Sequence, residues 1–583
     1  MFDQPENEKA RGFSRRDLLR GAVLGAGAVI TAAGCGNSQN DFVITNPGSP
    51  VPTPTATVTP TPTPTVTPTP VPPVTFVQPE VFASSGGFLE VPFDIAFATN
   101  VVGTPNGPRN FRSRVINGTV NPPTMRLKPG DKFRLPIINN LPANPDPHPA
   151  DGNTPHHFNT VNMHTHGFHV SPGQDNVLLA IMPGSTYVYE YDIPSDHPAG
   201  TFWYHPHKHG ATAMHLFSGM AGALIIEGGL DEVPEIAAAA DLVFNINELQ
   251  LGGSIDPATI TMDNPNGQSD QTLGFGNEAA VNPVPLSDPY EVPPYTRVSP
   301  FAAGDSVFMV NGEFQPTIQC RPGQVLRLRI LNASARNAMP LTLSGGNNWN
   351  LIALDGLTLP TMRTVPQFTI HPANRADVLV KIDTVGSVDI TMEAFGGGGS
   401  AGAPRVLARI EVAGAPFPQP LPAGPLPVSP TLPTITAGEV TQMRTLTYNT
   451  MAGTGPVIPN GSATQASNFT MDGVRFDSSV INQTINLGSV IEWTLSNPSG
   501  QWHPHHIHIH PFQVVATSDG LISGDPNMVL AEMGPTWLDT VAIPPGGSVT
   551  VRQRFPDFPG LFVQHCHILV HEDIGMMQLV NVI

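Results

Sequence analysis

The 583-residue chain carries 65 prolines, 56 glycines, only 13% charged residues and three cysteines. That composition excludes helical bundles and coiled coils, favours many short strands joined by turns, and leaves too little cysteine for a disulfide framework. A formal net charge of -19 argues against nucleic acid or an anionic membrane surface as a partner, while 40% hydrophobic residues are ample for a large core.

Residues 1–35 read as an export address. Ser14-Arg15-Arg16-Asp17-Leu18-Leu19-Arg20 precedes an apolar Gly/Ala-rich run from Gly21 to Ala33, the pattern of a twin-arginine (Tat-type) signal, too short to span a bilayer. Ala32-Ala33-Gly34-Cys35 has the form of a lipobox, in which Cys35 would carry a lipid anchor; otherwise Cys35 leaves with the signal. Residues 36–75 hold a Pro/Thr/Val repeat between Pro47 and Pro73, an extended polyproline spacer reaching on the order of 80 Å. The expected location is the periplasm, the cell envelope or the outside of the cell.

Three later segments share one pattern: Thr124 to Asn139, Thr317 to Asn332, and Thr484 to Asn497, the last shorter by two residues. Each reads as strand, tight turn, then a strand alternating apolar and polar side chains, as Leu326, Leu328 and Ile330 alternate with Arg327 and Arg329. The spacing makes each repeat a domain. A second match, Gly200 to His207 against Gly560 to His567, links the first and last repeats and has no counterpart in the middle one. The expected architecture is all-β, three Greek-key β-sandwiches spanning 76–235, 236–425 and 426–583, with metal chemistry only in the outer two. The stretch from Asn264 to Ser299 reads as a long loop.

Twenty histidines scattered at random would produce about one His-x-His, yet the chain has seven, in four clusters. These are His164-Thr165-His166, His205-Pro206-His207-Lys208-His209, His503-Pro504-His505-His506-Ile507-His508-Ile509-His510, and His565-Cys566-His567 followed by His571 and Met576. On a strand, residues i and i+2 share a face, so a His-x-His presents two imidazoles to one site while Cys566 points the other way. Imidazole, thiolate and thioether together suit copper, and two His, one Cys and a weak axial Met describe a blue-copper centre. A closed zinc set with regular Cys/His spacing is missing.

The four clusters resemble the copper signatures of the multicopper oxidases, a laccase-like family built from cupredoxin domains, over the chain from about residue 80 to its end. The resemblance implies four copper ions. His503, Cys566 and His571, with Met576 axial, match the type 1 ligands; His164 and His506 match type 2; His166, His205, His207, His508, His565 and His567 match the type 3 pair. It implies one-electron oxidation of a small donor at type 1 copper, transfer through Cys566 to His565 and His567, and four-electron reduction of O2 to water at a trinuclear cluster between the first and last domains. Asp175 and Glu572 stand where the family keeps proton-carrying acids; the other reading makes Asp175 a surface residue and Glu572 an acceptor that orients a ligand.

The remaining histidines, His148, His156, His157, His169, His197, His209, His215, His371, His505 and His510, match no ligand position. His510 shares the parity of His506 and His508 and is expected beside the cluster, whereas His209 mimics a ligand by spacing alone. Cys320 is expected as a buried small hydrophobe. An axial Met lowers the type 1 potential and suits phenols, aromatic amines or a low-valent metal ion. Met528, Glu532 and Met533 would be a Cu(I) site if they lined the type 1 centre, and core filler otherwise. The expected function is a laccase-like oxidase of phenolic donors acting as a monomer. The alternatives are an oxidase of Cu(I), Fe(II) or Mn(II) and a non-catalytic copper-binding envelope protein.

Overall fold

The computed structural model describes residues 74–583 except Asn106, 145–148, 150, 251–270, 274–295, 299–305, 396–402 and 453–466. The export signal, Cys35, nearly all of the spacer and His148 lie outside the described residues. Strand accounts for 49% of the structure and helix for 8%, the all-β outcome expected of short alternating segments punctuated by proline and glycine.

The three sequence repeats are one folding device used three times. Strand pairs Thr124–Leu127 and Lys132–Asn139, Thr317–Cys320 and Val325–Ala333, and Ile481–Ile485 and Val490–Asn497 flank the turns. In each, the first strand joins one sheet and the second joins the facing sheet, so the turn carries the chain across the sandwich. Gly130, Gly323 and Gly488 take φ of 89°, 78° and 81° there, a left-handed conformation that a Cβ disfavours. Each turn closes with a backbone hydrogen bond, from Asp131 to Lys128, Gln324 to Arg321 and Ser489 to Asn486.

The asparagine ending each repeat is buried: Asn139, Asn332 and Asn497 are all 0% exposed. Each amide donates to two backbone carbonyls: Asn159 and Ile181 for Asn139, Asn337 and Ile370 for Asn332, Gln501 and Ile543 for Asn497. Each Oδ1 accepts the N–H of the residue two further on, Leu141, Ser334 or Ser499. A buried amide with its hydrogen bonds made locks the corner without a desolvation cost.

One five-stranded sheet in each sandwich has the same plan. In the first its order is Val81–Ala83, Thr124–Leu127, Gly222–Ile226, Gly200–His205, His164–His166; in the third it is Ile481–Ile485, Met577–Val582, Gly560–Cys566, His503–Ile507, Thr540–Ile543. The histidine clusters therefore occupy adjacent strands of equivalent sheets. In the middle sandwich the strands at those positions, Gly386–Met392 and Met339–Leu343, carry no histidine. Arg327 and Arg329 of the middle sandwich, both buried, tie it to the first through Asp231 and Thr201.

Two local departures stand out. The stretch expected as a loop from Asn264 to Ser299 carries two short paired strands, Gln271–Leu273 and Thr296–Val298, the former also pairing with Arg109–Ile116. The end of the spacer is already docked: Thr317 and Phe76 exchange backbone hydrogen bonds with Val74 and Thr317 on the middle sandwich.

Candidate metal centre

The strand Gly560–Cys566 lies between His503–Ile507 and Met577–Val582, and its pleat sends neighbouring side chains to opposite faces. On one face Cys566 Sγ lies 3.6 Å from His503 Nδ1 and 3.6 Å from His571 Nδ1. Met576 is fully buried, its backbone accepting from Cys566 N and donating to His571 O. The short helix Leu569–Asp573 brings His571 back over the strand end, and Phe469 stacks on its ring at 4.1 Å. His571 keeps 8% exposure while Cys566 and His503 have none, so the centre is roofed by one histidine edge.

On the other face eight imidazoles from two sandwiches converge. His207 Nε2 and His508 Nε2 face His565 Nε2 at 3.0 and 3.4 Å. His164 stacks on His508 at 3.7 Å and His166 on His506 at 3.8 Å. His205 and His567 close the group, 5.5 Å apart by ring centroid, with His567 5.1 Å from His166. Within this set His164/His166/His205, His164/His506/His508 and His207/His508/His565 each have donor atoms within 4.8 Å of one another. Burial above all pushes their pKa values below the ordinary imidazole range, His207 to about 4. The rings are therefore neutral, the form that ligates a metal.

The carboxylates are buried among them. Asp175, 3% exposed, accepts from Thr165 N and Thr165 Oγ1, lies 2.6 Å from His164 Nδ1 and 3.8 Å from His508 Nδ1. It is not a surface residue, and burial raises its pKa to about 8. Glu572 sits 3.4 Å from His207 Nδ1 and 3.3 Å from His565 Nδ1, and accepts from Thr212 Oγ1. Burial, then the neighbouring Asp573, drives its pKa well up. Asp573 accepts the backbone N–H groups of Gly210, Thr212 and Ala213 at the start of the helix Thr212–Phe217.

Sequence reasoning missed a further acid. Asp539 Oδ1 lies 3.2 Å from His166 Nε2, and the Asp539 carboxylate takes a two-pronged hydrogen bond from Arg375 of the middle sandwich at 2.9 and 2.6 Å. The signal was a single charge in the otherwise apolar or hydroxylic run from Thr536 to Ile543; Arg375 announces itself by nothing local. Gly167 is also explained. At φ 85°, a Cβ there would lie 2.6 Å from Asp539 Oδ2 and 2.8 Å from Arg375 Nη2.

One parity expectation fails where a strand ends, and the other non-ligand histidines among the described residues lie apart from the metal donors as expected. His510 is not beside the cluster: Ile509 takes φ 70°, which breaks the alternation, and His510 packs on His169 and Phe555 instead. His505 shares a face with His503, but its Nδ1 is 2.5 Å from the Tyr448 hydroxyl. His209 Nε2 meets Asn153 Oδ1 beyond the end of its strand. Met528 lies in the core, Glu532 pairs with Arg363, and Met533 packs against that core, so these three form no shared donor site. Cys320 is a core residue.

Unpaired donors test the fit to a metal. His164 Nε2, His166 Nδ1, His205 Nε2, His506 Nε2, His508 Nδ1 and both His567 nitrogens are buried without a hydrogen-bond partner. So many orphaned polar atoms in one buried cluster would be costly without a cation to bind. Neutral imidazoles beside a thiol and a thioether suit copper.

Models of the multicopper oxidase family match residues 153–230, 282–404 and 446–583. A laccase from Bacillus stratosphericus is 26% identical over 507 residues, covering 80% of this chain and 90% of its own length. A multicopper oxidase from Staphylococcus aureus is 24% identical over 487 residues, covering 81% and 85%. Among solved structures, a multicopper oxidase from Campylobacter jejuni described as a metallo-oxidase aligns at TM-score 0.63 and 21% identity, over 88% of this chain and 98% of its own. A laccase-like multicopper oxidase from Ochrobactrum sp. aligns at 0.64 and 20%, over 87% and 100%. The family matches together span more than half of the chain and take in all four histidine clusters; the chain belongs to the multicopper oxidase family, a laccase-like oxidoreductase that uses copper, O2 and a reducing substrate.

Proposed function

We propose that the protein oxidises phenolic and other aromatic donors one electron at a time, with four copper ions that reduce O2 to two waters. The observation that carries this reading is the single strand presenting Cys566 to one face and His565, with His567 following, to the other. Cys566, His503 and His571, with Met576, would hold type 1 copper. His164 and His506 would hold type 2, and His166, His205, His207, His508, His565 and His567 the type 3 pair. Bound copper supplies the one-electron chemistry toward donors and the multi-electron chemistry toward O2.

The chain's own residues do the rest. The covalent route between the two sites is the backbone of residues 565–567. Asp175, its pKa raised to about 8, holds a proton at neutral pH beside His164 and His508, and burial favours the protonated form of Glu572 beside His207 and His565. Reduced oxygen consumes protons, and these two acids are the carriers we assign. Organic donors are preferred over metal ions because Met528 is spent in the core and Glu532 in an ion pair. The protein is further proposed to be a monomer, exported by the twin-arginine route and held off an envelope surface by its spacer, with Cys35 as lipid anchor.

Oxygen uptake by the copper-loaded protein tests the reading. Blue colour with uptake on a substituted phenol is expected; uptake only with Cu(I) or Fe(II) would replace organic donors by metal ions, and blue colour without uptake would end both. Cys566→Ser should lose blue colour and turnover together; retained turnover would refute the proposed route.

A further inference from the structure

The buried asparagine corner has acquired a second use in the third sandwich. Asn332 and Asn497 hold a serine in the same way: Oδ1 accepts the backbone N–H and the hydroxyl of Ser334 at 3.0 and 2.7 Å, and those of Ser499 at 3.0 and 2.6 Å. The first sandwich has Leu141 at this position and no hydroxyl to offer. Ser334 turns toward the Asn337 carbonyl. Ser499 instead lies 2.9 Å from His503 Nε2. A weaker contact from Thr450 Oγ1, at 3.3 Å, reaches the same nitrogen.

The proton inventory decides the direction of this bond. A serine hydroxyl has one hydrogen. At 2.6 Å it goes to Asn497 Oδ1, the alternative acceptor Gln501 O being 3.4 Å away. The Ser499 oxygen is then left to accept, and His503 Nε2 has to be the donor. A neutral imidazole protonated at Nε2 bears its lone pair on Nδ1, the atom 3.6 Å from Cys566 Sγ. We infer that Ser499, aimed by Asn497, is a positioning residue that selects the His503 tautomer and ring orientation presenting Nδ1 to the metal. The middle sandwich, where the same corner turns its serine toward the Asn337 carbonyl and not toward a histidine, is the internal control.

This inference rests on the type 1 assignment of Cys566, His503 and His571. Ser499→Ala in the full chain should weaken type 1 copper binding roughly tenfold, the lower end of what loss of a hydrogen bond to a ligating histidine does, and should shift the blue absorption band and the electron paramagnetic resonance signal. Ser334→Ala should lower the thermal midpoint comparably and leave both signals unmoved. Ser499→Thr, which keeps the hydroxyl, should restore them. Ser499→Cys, a weaker acceptor of similar size, should shift the signals in the alanine direction and keeps the test readable if alanine prevents folding. Unchanged copper affinity and spectra in the alanine or cysteine variant would overturn the inference and reduce Ser499 to a fold corner. A copper-loaded unsubstituted protein with no blue band would overturn the type 1 assignment itself, which is a distinct result.

Discussion

At the scale of single residues, burial is what makes this site chemical. Glu572 and Asp175 would be ordinary carboxylates in water; inside the cluster their pKa values rise because the charged form loses its solvent. Glu572 touches a ring from each of two sandwiches, His207 and His565, and burial favours its protonated form there. Glu572→Gln keeps the size and the contact from Thr212 while removing the titratable carboxyl proton. We predict a fall in kcat of about 100-fold with the blue band intact, read by steady-state oxygen uptake beside the visible spectrum. A variant with unchanged kcat would leave the carboxylate only the work of orienting rings. The family resemblance pointed to this acid and to Asp175 but could not tell proton carriers from a surface Asp175 and a ring-orienting Glu572, because burial is a property of the assembled fold.

At the scale of elements, the turn inside each repeat shows how much of the architecture is local. Strand, glycine turn and strand are written in sequence, since only a residue without Cβ takes a φ near 80° freely. The penalty for breaking the rule differs with tertiary surroundings. An added Cβ at Gly488 meets nothing within 4 Å, whereas at Gly323 it meets Pro418 Cα at 3.1 Å and Asp383 Oδ1 at 3.3 Å. Gly488→Ala should therefore cost only the left-handed strain, about 1–2 kcal/mol. Gly323→Ala should cost more, as the Pro418 backbone has to give way. Denaturant midpoints of the two variants make the comparison, and equal losses would show that the Pro418 contact relaxes freely. The same locality explains the misplacing of His510: alternation predicts directions only while the strand lasts, and at Ile509 it stops.

At the scale of the whole molecule, the cluster exists only because the first and third sandwiches meet, with the middle one bracing them through Arg375 and Asp539. The same interior buries neutral histidines outside the cluster. Burial lowers His197 and His215 to about 3 and His371 to about 4; His371 reaches the Ser523 carbonyl on the third sandwich. Their folded pKa values lie below the unfolded value of about 6.5, so the unfolded chain takes up protons that the folded one refuses. The stability they leave intact is complete above pH ~6.5 and is lost as pH falls toward 4, by up to about 1.4 kcal/mol per pH unit for each histidine. Asp175, raised to about 8, works in the opposite direction. Copper-free protein should unfold at progressively lower denaturant between pH 6.5 and 5, and His371→Gln should flatten that slope by about one proton. An unchanged slope in the variant would show that His371 does not titrate on unfolding.

The sequence by itself determined the all-β class, the threefold repeat, the glycine turns and the copper-type donor set, because strand parity, turn chemistry and ligand identity are properties of neighbouring residues. It could not decide which histidines share a site. His510 has the parity of His506 and His508 and is turned away from them by the backbone at Ile509. Nor could it reveal the Asp539–Arg375 brace or the hydroxyl of Ser499 on His503. The brace joins residues 164 positions apart, and the hydroxyl acts only because the buried Asn497 takes its single proton. Contacts of both kinds are settled by packing, which no local pattern encodes.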